Sequence, residues 1–427
     1  MPESETGSAS RVIFLDNLRY FFVLCVVLEH AAHSYDGLNW WPVVDTGVSL
    51  IARFSSGFSD AISMPLLFYV SGYFAIPTIR KKGTAVFLKG KLRRLGIPWL
   101  VCILTICPVL PLLYHYTRNP FTLSESYGSL WLELTGNMLR FDVGLIPSMN
   151  KLMMNNGFYQ RYMWFLSLLV LFFFIFAAVY GLKKDWFDRG PASLRPAPAT
   201  VRGSMKLLLG VGFLTTVFSF TLVGLMMALG PKSGNPEPLF TLGNIIQFRP
   251  SRLPAFVICF SLGVLTFRNQ WIGRGRLPGH FRTWAVSFGI LLAGLLMLMY
   301  ILEYGPEDMR PAYGALYFLV LNFMTMAALG FSAAVGLRYW NRPSAFDRTM
   351  AANSYNIYLG HYLFVLVAQL FLLFVPGLPL ALKFALVSAF AIGCSYAVSR
   401  YLIQPHPRAA VAAAAGLLLA MVVFVRP

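Results

Sequence analysis

Arginine, glutamate and histidine side chains stand in one apolar stretch near the start of the chain, with Asp16 at its edge. Arg19, Glu29, His30 and His33 all lie within LDNLRYFFVLCVVLEHAAHSY, Leu15–Tyr35, whose middle, Tyr20–Leu28, is unbroken hydrocarbon and aromatic surface. In a helix the step from Arg19 to His30 is about three turns, so both side chains point nearly the same way. His33 falls on the flank of that face, and Glu29 precedes it at i,i+4, about 100° round the helix from His30. Ionisable groups inside a membrane span cost roughly 2.5–3.5 kcal/mol each on insertion scales. They persist where they face a bundle interior or an aqueous pathway. Imidazole can take a proton from a hydroxyl and later release it. His30 is therefore the first candidate for chemistry, with Arg19 and Glu29 beside it. A cross-helix hydrogen bond would explain a lone histidine as well; it explains an Arg, a Glu and two His in one span less readily.

The elements that must position these groups are membrane helices. Of 427 residues, 57% are hydrophobic and 12% charged, against about 25% charged in soluble domains. Thirty-five Lys and Arg against 17 Asp and Glu give a net charge of +18. In a soluble protein that would point to nucleic acid; here loops that set membrane topology account for it, and no nucleic-acid partner is expected. Cys25, Cys102, Cys107, Cys259 and Cys394 all fall in apolar segments with no CxxC pair. They read as packing residues, with neither a disulfide frame nor a metal site. The N-terminal MPESETGSAS is short and polar and lacks a basic n-region, so an uncleaved first helix is expected.

Ten apolar segments follow in order: Leu15–Tyr35, Phe54–Ile79, Leu95–Tyr116, Tyr162–Leu182, Leu207–Leu229, Leu253–Phe267, Trp284–Leu302, Ala312–Gly336, Ala352–Val375 and Pro379–Leu402. A last run, Ala409–Val425, is just long enough to cross. The expected fold is an all-α polytopic membrane bundle of 10–11 transmembrane helices. Residues 1–10 form a polar tail, 11–405 the transmembrane domain and 406–427 an extra C-terminal helix. The Pro- and Ala-rich basic stretch Lys183–Gly203 reads as a cytoplasmic linker. Asp36–Asp45, with Trp40 and Trp41, reads as exposed at a membrane interface. Ser129–Phe141 is mildly amphipathic and could lie along the outer surface. Placing the N-terminus in the cytoplasm puts the strongest basic clusters inside, above all Arg80, Lys81, Lys82, Lys89, Lys91, Arg93 and Arg94.

In that orientation His30 lies some 16 Å deeper than Arg19, at ~1.5 Å per residue. A phosphate-bearing donor could be held by Lys91, Arg93, Arg94 and Arg19 through charge-assisted hydrogen bonds, with a long thin arm reaching His30. Topogenic charge alone explains the same loop. His361, in SYNIYLGHYLF with Tyr355, is a second candidate, although cross-helix packing also accounts for it. Arg249 and Arg252 could contact an acceptor or anchor the interface. Glu303, Glu307 and Asp308 read as a solvated outer loop.

These residues resemble the integral-membrane acyltransferase 3 family, which includes bacterial O-acyltransferases of surface polysaccharides and glucan-modifying proteins. Its spacing of Arg or Lys, ten residues, then His is met by Arg19 and His30. Ser71-Gly72-Tyr73 matches a common Ser-Gly-Phe, joined by FLKGKLRRLGIPW, Met163-Trp164-Phe165-Leu166 and the late Ser354–His361 signature. The likeness runs from about Arg11 to Pro405. Two positions depart: the basic pair spaced Arg-x-x-Arg is Lys91 and Arg94, and a usual Glu-Pro is Gln404-Pro405.

The resemblance implies acyl-CoA, in the first instance acetyl-CoA, as cytoplasmic donor and a carbohydrate or other hydroxyl as acceptor. His30 would act as general base or transient acyl carrier, with Arg19 and Glu29 in the catalytic group. Lys91, Arg93, Arg94 and Ser71, Gly72, Tyr73 would serve the donor; His33, Trp164, Tyr355 and His361 would serve the acceptor. No metal is implied. The expected location is the bacterial inner membrane, multi-pass in the lipid bilayer. The competing expectation is a transporter or flippase of a glycan or lipid-linked substrate; matched interrupted spans in the two halves, which would favour it, are not evident.

Overall fold

A computed structural model describes residues 12–37, 40–118, 126–146, 160–188, 200–229, 238–272 and 280–425. The polar tail 1–10 and linker residues 189–199 lie outside the described residues.

Helix α1, Ile13–Ala32, is the axis of the bundle. Phe14, Leu15, Val26, Val27, Ala31 and Ala32 are wholly buried, on several faces of the helix at once. That is what an apolar helix held largely inside a bundle looks like, with the stripe of Phe21, Leu24 and Leu28 left partly open. It packs against α2, Leu50–Tyr73, whose first turn is capped by the Ser49 hydroxyl accepting from the Ala52 N–H. The chain continues through α3, Ala75–Lys82, and α4, Thr84–Lys91, into a π-helical turn at Leu92–Gly96. Next come α5, Ile97–Thr105, α6, Val109–Arg118, and α7, Tyr127–Leu139. After a 3₁₀ turn at Arg161–Met163 follow α8, Trp164–Leu182, α9, Lys184–Asp188, and α10, Val201–Leu229. The second half holds α11, Leu253–Arg268, α12, Phe281–Tyr304, α13, Arg310–Tyr339, α14, Ala345–Leu373, α15, Leu380–Val398, and α16, Pro407–Phe424. Both α11 and α13 open with a proline in the first turn, where its missing N–H costs nothing.

Each of the eleven apolar segments read from the sequence coincides with a helical stretch. Among the described residues nine helices are long and apolar enough to cross a membrane, α16 being one of them. Helix α11 is shorter. Helix α1, at 20 residues, has the length to cross but carries Asp16, Arg19 and Glu29 and finds its place inside the bundle. The protein is a polytopic helical membrane protein.

Two features depart from the sequence reading. The bundle carries a small antiparallel sheet, order β1-β2-β3, formed by β1, Val143–Ile146, β2, Leu239–Leu242, and β3, Ile246–Phe248. Phe240 pairs with Phe248 and Val143 with Leu242. Gly243 and Asn244 turn the hairpin at φ +60° and +57°, the left-handed region that glycine and asparagine tolerate best. Gln160 ties this sheet to the helices: its N–H donates to Gln247 Oε1 at 2.9 Å, its side-chain NH₂ to Asn244 O at 3.0 Å, and its Oε1 accepts from Trp99 at 2.9 Å.

The second departure is the segment after α1. The sequence reads as exposed over Asp36–Asp45, yet Asp36 is 1% exposed and Trp41 and Val43 are at 0%. The described residues of the segment fold inward because distant side chains satisfy their polar groups. Lys383 Nζ donates to Asp45 Oδ2 at 2.6 Å, Arg118 to Trp41 O at 2.9 Å, and Arg53 to Asp36 O at 2.9 Å. It is a cap on the end of α1.

Candidate active site

The last turn of α1 delivers His30, His33 follows as its C-cap, and α14 brings His361 to meet His30. His30 Nδ1 lies 2.8 Å from His361 Nε2, with the two ring planes 9° apart. His361 Nδ1 in turn lies 2.7 Å from the Tyr358 carbonyl oxygen and 3.2 Å from that of Ile357. A carbonyl only accepts, so Nδ1 of His361 carries the hydrogen. With neutral rings, Nε2 of His361 is then the acceptor and Nδ1 of His30 the donor. Nε2 of His30 is left with its lone pair. This chain of hydrogen bonds orients a base with its proton-accepting nitrogen at the far edge of the ring.

Three aromatic side chains frame His30. The Trp41 indole lies over it, centroids 5.6 Å apart and planes at 18°, while Tyr362 and Tyr162 approach edge-on at 4.9 and 6.3 Å. Tyr162 donates its hydroxyl to Leu359 O at 2.7 Å, locking the 3₁₀ turn against α14. His33 has its own partner: Nδ1 is 2.7 Å from Asp36 Oδ2, and both residues are buried.

These groups stand at the wall of a cavity of about 650 Å³. Glu29, His30, His33, Asp36, Trp40, Trp41 and Tyr162 line it, with Trp164, Tyr300, Tyr304, Tyr317 and Tyr362. Arg53, Arg161, Arg249 and Arg252 also line it, with the carboxylates of Asp60 and Glu303. Arg53 pairs with Glu303 at 3.1 Å, and Arg252 donates to the Asp60 carbonyl at 2.6 Å. Glu29 has Asp60, Arg249 and Arg252 for electrostatic neighbours and the Ser59 hydroxyl beside it. Arg161 is a buried non-glycine residue at φ +55°, a backbone setting that persists only where the surroundings over-determine it. The space is large enough for a sugar unit and mixes flat aromatic faces with convergent polar groups, the make-up of a ligand site. Among the described residues no group of three His, Cys, Asp or Glu could hold a metal ion.

The structure thus brings Glu29, His30, His33, Trp164 and His361 together. Arg249 and Arg252 join them at the cavity wall, and the remaining sequence candidates gather toward the other end of the bundle. Arg19 bonds Asp16 at 3.1 Å and the Ala351 carbonyl at 3.1 Å. Tyr355, one turn further along α14, donates its hydroxyl to Arg94 O at 2.7 Å, so it sits beside the basic loop and does not line the cavity. Lys91 Nζ lies 3.6 Å over the Phe173 ring, while Arg93 and Arg94 are exposed. Gly72 and Tyr73 are buried between α2 and α11, and Ser71 is half-buried beside them. Tyr355 and His361 are six residues apart on one helix, about 9 Å at ~1.5 Å per residue.

Several residues of the cavity and its surroundings are not singled out by the sequence. Glu303, read as merely solvated, is paired with Arg53 at the cavity wall. Asp60 and Gln369 carried a signal, a polar side chain inside an apolar run. Arg161, Tyr162 and Tyr362 carried none, because aromatic and interfacial residues are common at helix ends.

The fold and this constellation define a class. The chain belongs to the acyltransferase 3 family, whose acyltransferase domain matches residues 12–400, and is a multi-pass membrane protein. Among curated proteins it is similar to the glucans biosynthesis protein C of Salmonella typhi, 26% identical over 215 residues, covering 48% of each chain. The protein of the same name from Salmonella schwarzengrund is 26% identical over 199 residues, 45% of this chain and 44% of the relative. The chain spans about half the length of the curated relatives it matches. No solved structure matches it significantly.

Proposed function

We propose that the protein moves an acyl group, acetyl in the simplest case, from cytoplasmic acyl-CoA to a hydroxyl of a cell-envelope carbohydrate. It does so from the bacterial inner membrane, with its N-terminus in the cytoplasm and residues 11–405 as the catalytic unit. The observation that carries this reading is His30 at the wall of a 650 Å³ cavity, with His361 buried behind it at 2.8 Å.

The acceptor occupies the cavity, its sugar faces against Trp40, Trp164 and Tyr300 and its hydroxyls among the arginines and carboxylates. His30 Nε2 takes the proton of one hydroxyl as that oxygen attacks the thioester carbonyl carbon. The C–S bond then breaks, and the departing thiolate takes the proton from the imidazolium. Hydroxyl and thioester become ester and thiol. The donor's phosphates lie at the basic end, with Lys91, Arg93, Arg94 and Arg19, and its arm runs along α14 past Tyr355 toward His361. Holding thioester and hydroxyl together supplies much of the rate. The relatives' name, glucans biosynthesis protein C, makes a glucan the first acceptor to offer.

The test is transfer from labelled acetyl-CoA by protein purified in detergent, with a glycan mixture as acceptor. Label on glycan with wild type and not with His30→Ala supports the reading. Equal labelling by the variant, or no CoA release from folded wild type, sinks it and leaves movement of a substrate without acyl-CoA as the activity to assay.

A further inference from the structure

Gln369 lies on α14 eight residues beyond His361 and is 1% exposed. Its three polar contacts all go to groups that frame His30. Oε1 accepts from the Trp41 indole N–H at 2.8 Å. Nε2 donates to the carbonyl of His30 at 3.2 Å and to that of Ala31 at 3.1 Å. The last carbonyls of a helix have no partner within it, and the Tyr35 N–H turns to Ala32 O at 2.8 Å. The Gln369 amide therefore closes the end of α1. Its orientation is fixed, because exchanging oxygen and nitrogen would set an NH₂ against the indole N–H and an oxygen against two carbonyls.

One side chain thus grips the backbone that carries the His30 ring and the indole that lies over that ring. We infer that Gln369 is a positioning residue for His30, holding the imidazole between Trp41 and His361. Apolar side chains of the same volume would fill the space, but they would release both the indole and the helix end. The inference rests on the reading of His30 as the base. Near-attack geometry is demanding: a displacement of about 1 Å costs on the order of 10²-fold in rate.

The experiment compares Gln369→Leu, Gln369→Glu and Trp41→Phe with wild type in acetyl-CoA-dependent transfer. In parallel, carbethoxylation of His30 by diethyl pyrocarbonate is followed by peptide mass spectrometry across pH. Positioning predicts that kcat falls about 30- to 100-fold in Gln369→Leu and roughly tenfold in Trp41→Phe, with both KM values within about twofold. The His30 modification profile shifts in the same variants. A folded Gln369→Leu with wild-type kcat and an unchanged His30 profile overturns the inference. So does a loss that appears only in KM. Should Gln369→Leu fail to fold, Trp41→Phe carries the test, since it removes one N–H and keeps a ring. If wild type itself transfers no acyl group, the functional reading fails, while the His30 profile still decides the positioning.

Discussion

Gly72 of α2 and Phe260 of α11 approach so closely that a Cβ on Gly72 would stand 2.1 Å from the Phe260 carbonyl oxygen. The contact is reciprocal: a Cβ on Gly263 would stand 2.1 Å from the Tyr69 carbonyl oxygen. Two helices packed backbone to backbone through facing glycines hold the wall on which Glu29 and Asp60 meet Arg252. The glycine of Ser71-Gly72-Tyr73 is accounted for by this packing, whatever its neighbours do for the donor.

Gly72→Ala and Gly263→Ala are therefore expected to lose stability, by about 1–3 kcal/mol or more, because backbone cannot move aside as a side-chain tip can. Gly90→Ala is the control, with nothing within 4 Å of its added carbon. Thermal unfolding in detergent should show a clear fall in midpoint for the first two and none for the third.

Much of the fold was legible because it depends on hydropathy over windows of a helix length, and α1 stood out because charges there have no cheap explanation. The cap over His30 was not legible. Its polar sequence looks solvated, and its partners are far away: Trp41 to Gln369 spans 328 positions and Asp45 to Lys383 spans 338. The sheet escaped for a similar reason, since two strands of four residues pair across roughly a hundred positions and the third strand is only three residues long. In the site, His30 and His361 could each be singled out as polar groups in apolar runs. That they touch is a fact of helix packing, which spacing within one helix does not encode.

The His30–His361 contact makes a prediction about coupling. His30→Ala should cost about 10²–10⁴ in kcat, the usual range for a general base. His361→Ala should cost less, and the double variant should resemble His30→Ala alone, because the second ring acts through the first. His361→Gln should retain more activity than His361→Ala, its amide oxygen standing near the place of Nε2 and accepting from His30. Additive losses in the double variant would mean that the two rings act separately.

The orientation proposed here is open to a labelling test. Lys82 lies at the Arg19 end of the bundle and Thr46 in the cap at the His30 end, and both are exposed. Cys25, Cys102, Cys107 and Cys259 are buried, and with the half-buried Cys394 replaced by alanine the background is low. With the N-terminus in the cytoplasm, a membrane-impermeant maleimide should label Thr46→Cys in intact cells and Lys82→Cys only after permeabilisation. The reverse pattern would place the cavity on the cytoplasmic side and remove the need for a donor arm through the bundle.

Lys383 and Asp45 form a buried ion pair, 2.6 Å apart with side-chain exposures of 2% and 10%. It pins the cap that carries Trp41 to the start of α15. Breaking such a pair by removing one partner leaves an uncompensated charge and costs about 3–5 kcal/mol, whereas replacing both by apolar groups of similar size is often neutral. Lys383→Met and Asp45→Leu should each lower the unfolding midpoint strongly, and the double variant should recover most of it. Activity should not follow stability back. A salt bridge fixes the cap in one register, while two apolar side chains fill the space without that direction, so the Trp41 ring loses its fixed place over His30. The double variant is thus expected to be stable with kcat reduced about tenfold, by the same sensitivity of rate to alignment that governs Gln369. Full recovery of kcat along with stability would show that the pair serves folding alone and that the cap finds its register without it.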